Sequence, residues 1–224
     1  MKNKIIQGVI FDFNGTLLWD TPFHNLAFDI FLNKKGLPPI TDEDKKVMIH
    51  GKGNRDIMNT LFRNVLSEPE VIAYTLEKEL IYQELCKNDL HLASGAEDFI
   101  EWLRANSIPY CIGSSVGREN VDFYFENMNL GKWFHRDQVV YNDGSYRAKP
   151  YPDIFQAAAK KIDLKPSETL VFEDSFSGIK SAENFKAGKI IIVNSTNDDF
   201  SQFPYIQITD FNQVDKELFI NLPL

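Results

Sequence analysis

Groups able to handle phosphate or a hard cation stand at four distant points of the chain. Asp12 follows the apolar run "IIQGVIF" (5–11), Ser114 and Ser115 follow "PYCIG", and Glu173 and Asp174 close "TLVFE" (169–173). Lys149 lies in the loop "RAKPYPDIF". Together these groups suit phosphoryl transfer. Asp12 and Asp174 offer the hard oxygens that Mg²⁺ takes while keeping waters and a substrate phosphate. Asp12 can also act as nucleophile, carrying the phosphoryl group on its carboxylate. Ser114, the backbone N–H groups after it and Lys149 would neutralise the equatorial oxygens in transfer. A charged residue at the end of a buried strand is expensive to desolvate, so Asp12 most needs a reason to be there.

Each residue also has a plainer reading. Asn14-Gly15 between apolar runs is a strong hairpin signal, because both residues tolerate the positive φ of a tight turn. Lys149 taken singly is a loop lysine, and Glu173-Asp174 can cap a following helix. His24 sits on a helix with Phe23, Leu26 and Phe28 and reads as packed or surface. Arg55 suits a solvated helix N-terminus, and Lys78 one half of a helix-face ion pair. His50, His91 and His135 have no metal-ligand spacing.

The elements that must position these groups decide between the readings. "IIQGVIF", "PYCIGS" (109–114), "TLVFE" and "KIIIV" (189–193) are apolar through most of their length, as strands of a parallel sheet covered on both faces are. Between them "GAEDFIEWLRANS" sets Phe99, Ile100 and Leu103 on one stripe, and "DIFQAAAKKIDL" does so with Ile154, Phe155, Ala158 and Ile162. "SGIKSAENFKAG" follows, with Gly188 as its stop. A helix should start near Arg118, a weaker strand form at "YIQIT", and a last helix span 212–220. Such alternation predicts an α/β class: a doubly wound, Rossmann-like parallel sheet, with ligands at the carboxyl ends of its strands. Residues 20–91 read instead as helices throughout, with Thr41 and Asp44 as a capping pair and Gly36, Pro38 and Pro39 marking a turn. The division is therefore a core of 1–19 and 92–224 with an inserted helical cap of 20–91, set over the carboxyl edge of the sheet.

Composition removes other classes. With 43% hydrophobic residues the chain can fill a core, and its net charge of −8 without a basic stripe argues against nucleic acid. No run approaches membrane-spanning length, and the N-terminal apolar stretch is too short for a signal peptide. Cys86 and Cys111 show no metal spacing and read as reduced thiols of a cytosolic protein. No GxGxxG follows the first strand, which disfavours a nucleotide-cofactor oxidoreductase. The expected partner is a small phosphorylated metabolite, and the chain is taken as a cytoplasmic monomer.

"DFNGT", the strand-end "GSS", "KPYPDIF" and "FEDSFSGIKSA" resemble, in order and spacing, the four motifs of the haloacid dehalogenase superfamily, across residues 9 to about 192. The closest pattern is similar to the β-phosphoglucomutase branch and its sugar-phosphate phosphatases. The resemblance implies Asp12 as nucleophile, Ser114 and Lys149 as phosphate binders with Ser115 beside them, and Asp174 as ligand of Mg²⁺. Glu173 would reach the metal through water, and position 14 would supply its backbone carbonyl. His24, Arg55 and Lys78 fall where that branch places substrate contacts. Position 14 departs from the pattern, which has an aspartate there as general acid and base. An amide cannot exchange that proton at neutral pH, which weakens a phosphatase and argues against a mutase shuttling phosphate between hydroxyls. A phospho-ligand-binding protein without turnover is the remaining alternative.

Overall fold

The computed structural model describes residues 6–219. Its centre is a six-stranded parallel sheet: β1 Gly8–Phe11, β2 Tyr110–Gly113, β3 Val139–Val140, β4 Thr169–Glu173, β5 Lys189–Val193 and β6 Ile206–Ile208, in the order β3-β2-β1-β4-β5-β6. The apolar runs form buried strands because both faces are covered. Val9, Phe11, Ile112, Leu170 and Phe172 join one core cluster, while Ile10, Cys111 and Val171 join a second on the other face. Each odd–even alternation thus feeds a different layer. Chain crossovers leave β1 toward β2 and β4 toward β5, in opposite directions, so a crevice opens at the carboxyl ends of β1 and β4. Register sets Phe11 against Ile112 on one side and Phe172 on the other, which puts Asp12 beside Glu173.

The covering helices are α5 Ala96–Ala105, α6 Arg118–Asn127, α7 Asp153–Lys161 and α8 Phe176–Phe185. Between β1 and α5 stand α1 Thr21–Lys34, α2 Asp42–Met48, α3 Asn54–Leu61 and α4 Glu68–Cys86. These four have a core of their own, built from Phe28, Phe31, Ile49, Ile57, Met58 and Val71. Thr41 caps α2 by accepting from the Asp44 N–H, and Ser67 with Glu70 makes a capping box on α4. The block meets the sheet edge through a Lys46–Asp198 ion pair at 2.6 Å and through two backbone carbonyls. Gly51 O accepts from Ser115 Oγ at 3.2 Å and His50 O from Ser177 Oγ at 3.0 Å.

Four expectations change. Asn14-Gly15 forms a tight turn but no hairpin: Gly15 takes φ +77° while Asn14 does not go positive, and β1 pairs in parallel with both neighbours. The two-residue β3 had no pattern long enough to read. Helix α8 ends before Gly188, with Lys186 in the left-handed conformation at φ 64°, and the Gly188 N–H instead pairs with Pro166 O at 2.9 Å. In place of one helix over 212–220 the described residues form two 3-10 turns, Phe211–Gln213 and Lys216–Phe219, while residue 220 lies outside them.

Candidate active site

Lys149, Asp12 and Glu173 form a buried triad at the crevice. Lys149 Nζ donates to Asp12 Oδ1 at 2.6 Å and to Glu173 Oε1. Glu173 is fixed from its other side, where Oε2 accepts from the Asp174 and Ser175 N–H groups at 2.9 Å each and from Ser175 Oγ at 3.0 Å. It does not cap α8. Ser175 does, by accepting from the Gly178 N–H. Asp174 faces the crevice and accepts from Thr16 Oγ1 at 3.0 Å. Ser114, buried at the end of β2, lines the same cavity with Ser115.

Charge in this cluster is unbalanced. Three carboxylates share one ammonium. Burial, opposed by Lys149 and reinforced by Glu173, pushes the Asp12 carboxyl up to about 7. Burial and then the Glu173 and Asp12 charges push Asp174 well above the usual carboxylate range. Ligand oxygens of Asp12, Glu173 and Asp174 lie within 4.8 Å of one another. A Cβ on Gly15 would stand 2.0 Å from Asp174 Oδ2, so only glycine lets the turn approach that carboxylate. The donor set is all oxygen, anionic and underneutralised, which fits a hard divalent cation.

A second buried network stands across the cavity, between α1 and α4. Asp20 takes four donors: the Asn14 Nδ2, the Gly15 N–H at 3.1 Å, the Tyr82 hydroxyl, and His24 Nε2 at 3.3 Å. His24 stacks on Tyr82 with ring centroids 3.8 Å apart. Its Nδ1 lies 3.1 Å from Lys78 Nζ, and an ammonium can only donate, so Nδ1 accepts and a hydrogen sits on Nε2. Lys78 also donates to Glu79 Oε1 at 3.0 Å, and Glu79 accepts from Asn54 at 2.6 Å and Asn120 at 2.9 Å. Here burial is overcome: hydrogen bonds from His24, Tyr82 and Asn14 hold Asp20 below the usual carboxylate range, and Lys78 and Asn120 do the same for Glu79.

The cavity between the networks measures about 90 Å³ and is lined by residues of both, Asp12, Asn14, His24, Lys78, Ser114 and Asp174 among them. Arg55 does not line it. It is exposed and makes a two-pronged pair with Glu68, because its position on α3 faces the start of α4; Asn54, one residue earlier, points inward instead. Three contributors were not read from sequence. Asp20 stands just before α1 with Pro22 in the first turn, which looks like an ordinary helix cap, yet its side chain makes no cap bond. Glu79 follows Lys78 directly, and adjacent helix positions do not ordinarily face one site. Tyr124 lies on α6 and reaches in to Asn14 Nδ2 at 2.7 Å.

The sequence profile of haloacid dehalogenase-like hydrolases matches residues 6–186. A phosphorylated carbohydrates phosphatase of Thermotoga maritima is 24% identical over 198 residues, covering 86% of this chain and 88% of that one. Among solved structures, a HAD hydrolase, family IA, variant 3 from Entamoeba histolytica superposes with a TM-score of 0.86 at 30% identity, covering 96% of this chain and 98% of that one. A β-phosphoglucomutase from Clostridium difficile, 19% identical over 95% of both chains, gives 0.79 and shares the fold. With the profile spanning most of the chain and the acidic crevice at its sheet edge, this protein belongs to the haloacid dehalogenase-like hydrolase family.

Proposed function

We infer that the protein is a Mg²⁺-dependent phosphatase of small phosphorylated metabolites, sugar phosphates foremost, working through an aspartyl-phosphate on Asp12. The observation that carries this reading is the Lys149–Asp12 pair inside an underneutralised carboxylate cluster. Lys149 holds Asp12 Oδ1, which leaves Oδ2 to attack phosphorus. The P–O bond to the leaving group breaks as the new bond forms, and the departing oxygen takes its proton from solvent water. Water later attacks the same phosphorus, the bond to Asp12 breaks, and inorganic phosphate leaves. Ser114 and Lys149 would neutralise the charge that gathers on the equatorial oxygens. Asp12, Asp174 and the position-14 carbonyl would hold Mg²⁺, with Glu173 outside them. The ion supplies charge neutralisation between carboxylate and phosphate.

Asn14 cannot pass a proton to the leaving oxygen, a service worth about 10²–10⁴ in rate. Esters with acidic leaving groups therefore suffer least. The cavity of about 90 Å³ is smaller than the roughly 150 Å³ that a benzene-sized guest fills. Swinging of the 20–91 block at the Ser115–Gly51, Ser177–His50 and Lys46–Asp198 contacts would admit a sugar phosphate, and its reclosure would exclude water. His24 and Lys78 then meet the substrate from the cap side. Turnover of a phosphate-ester panel with and without Mg²⁺ tests the reading. Release of phosphate from p-nitrophenyl phosphate and sugar phosphates, blocked by beryllium fluoride, is the expected result; no hydrolysis of any ester would favour a ligand sensor.

A further inference from the structure

The side chain of Asn14 is not merely a lost aspartate. Its Nδ2 is aimed at Asp20 and at the Tyr124 hydroxyl, 2.7 Å away, and with two hydrogens it satisfies both. This fixes which end of the amide is nitrogen, since the oxygen could not face the Asp20 carboxylate. The amide oxygen is left over: Asn14 Oδ1 is buried without a hydrogen-bond partner. Asp20 is 1% exposed, and its remaining partners are the Gly15 N–H, Tyr82 and His24. Every one of those contacts requires an acceptor at position 20, and that acceptor in turn requires a donor at position 14.

We propose that Asp20 is a positioning residue for Asn14, and that the two form a matched acceptor–donor pair which makes an amide at position 14 obligatory in this chain. Asp20 holds the nitrogen toward the cap, which keeps Oδ1 as the one open acceptor of the group. An aspartate placed at 14 alone would set two carboxylates at hydrogen-bonding distance in a buried site, where both cannot stay ionised without cost. One of the two would take up a proton that the pair then shares, so a carboxyl free to pass its proton to the substrate is returned by exchanging both members. In the exchanged pair, the amide nitrogen of residue 20 takes the place of Oδ2 and donates to the new carboxylate, the Gly15 N–H keeps the oxygen, Tyr82 can turn its hydroxyl toward Tyr124, 3.0 Å away, and only the 3.3 Å His24 contact is lost.

The test is a double-variant cycle with Asn14→Asp, Asp20→Asn and both together, read first by thermal unfolding. Each single change should lower Tm by roughly 5–15 °C, and the pair should recover most of the loss. The activity readout rests on the phosphatase reading. On alkyl phosphates the double variant should exceed the parent by about 10²-fold and Asn14→Asp by at least tenfold, since only the exchanged pair frees a carboxyl for proton transfer. If Tm couples as expected but no variant hydrolyses any ester, the pair stands and the phosphatase reading falls. If Asn14→Asp alone keeps its Tm and matches the double variant in rate, the proposal is overturned. Should a variant fail to fold, the parent protein decides through ¹⁵N-labelled side-chain amides. A slowly exchanging Asn14 NH₂ that speeds up on Asp20→Ser supports the pair. Exchange as fast as that of an exposed asparagine overturns it.

Discussion

Asp12 and Asp20 are both buried carboxylates, one in each of the networks that flank the cavity, yet their chemistry diverges. Burial wins at Asp12, whose carboxyl rises to about 7, and loses at Asp20, which is held below the usual range. The difference is the number of donors. Asp12 shares Lys149 with Glu173, while Asp20 collects Asn14, Gly15, Tyr82 and His24 for itself. Asp174 and Glu79 repeat the contrast, one with a threonine hydroxyl, the other with a lysine and two asparagines. Depth alone therefore does not mark a reactive group. A buried acid short of donors has bonding capacity left for a cation and a phosphate; a satisfied one can only hold its neighbours in place.

Four experiments bear on that contrast, beginning with the largest effect. Asp12→Asn should cut phosphate-ester turnover by about 10⁴-fold or more while the protein still folds, because Lys149 keeps Glu173. Turnover within tenfold of the parent would place the nucleophile elsewhere. The mirror change in the satisfied network, Glu79→Gln, should cost about 3 kcal/mol of stability, since it leaves the buried Lys78 ammonium without its counter-charge. Denaturant titration measures this, and an unchanged midpoint would mean that the two networks do not differ in kind. Mg²⁺ at about 100 times its Kd should stabilise the protein by about 2.7 kcal/mol, and chelation should abolish that gain along with turnover. The thermal shift should vanish in Asp174→Asn. A shift that survives there would move the ion away from the crevice.

The smallest effect concerns His50, at the seam between the two regions. Burial, opposed by Asp198 and aided by Lys46 and Lys45, pulls its pKa down to about 4 from 6.5. The unfolded chain binds this proton as pH drops below about 6.5, and the folded protein only near 4. Stability is thus complete above 6.5 and declines between the two values, by about 1–2 kcal/mol once solvent screening at a half-buried ring is allowed for. Replacing His50 by Gln should flatten that slope, as measured by unfolding midpoints from pH 7 to 4.

The core site was readable because a parallel sheet imposes a rule: polar residues that end apolar runs must gather at one edge. Asp12, Ser114, Glu173 and Asp174 needed only that rule, and Lys149 needed the loop before α7. The cap offered no such rule. Helical faces depend on how one helix meets another, so Arg55 and Asn54 could not be told apart before α3 was seen against α4. Asp20 was hidden behind a competing local reading, since an acid before a Thr-Pro helix start ordinarily serves the helix. At Asn14 the turn signal and the family pattern were both partly right. The glycine bends the chain, and the asparagine faces a partner six residues on that no spacing rule pairs with it.

That partner bears on how the protein ages. Asn-Gly sequences deamidate when the glycine nitrogen swings onto the asparagine side chain and closes a succinimide ring, expelling ammonia. In the folded chain the Gly15 nitrogen is engaged by Leu18 O at 2.7 Å and by Asp20 Oδ1 at 3.1 Å, and the Asn14 amide is tethered on its far side. Neither reacting group is free to turn. The dipeptide most prone to spontaneous decay is therefore kept intact by the fold itself, and damage at this position becomes a record of time spent unfolded.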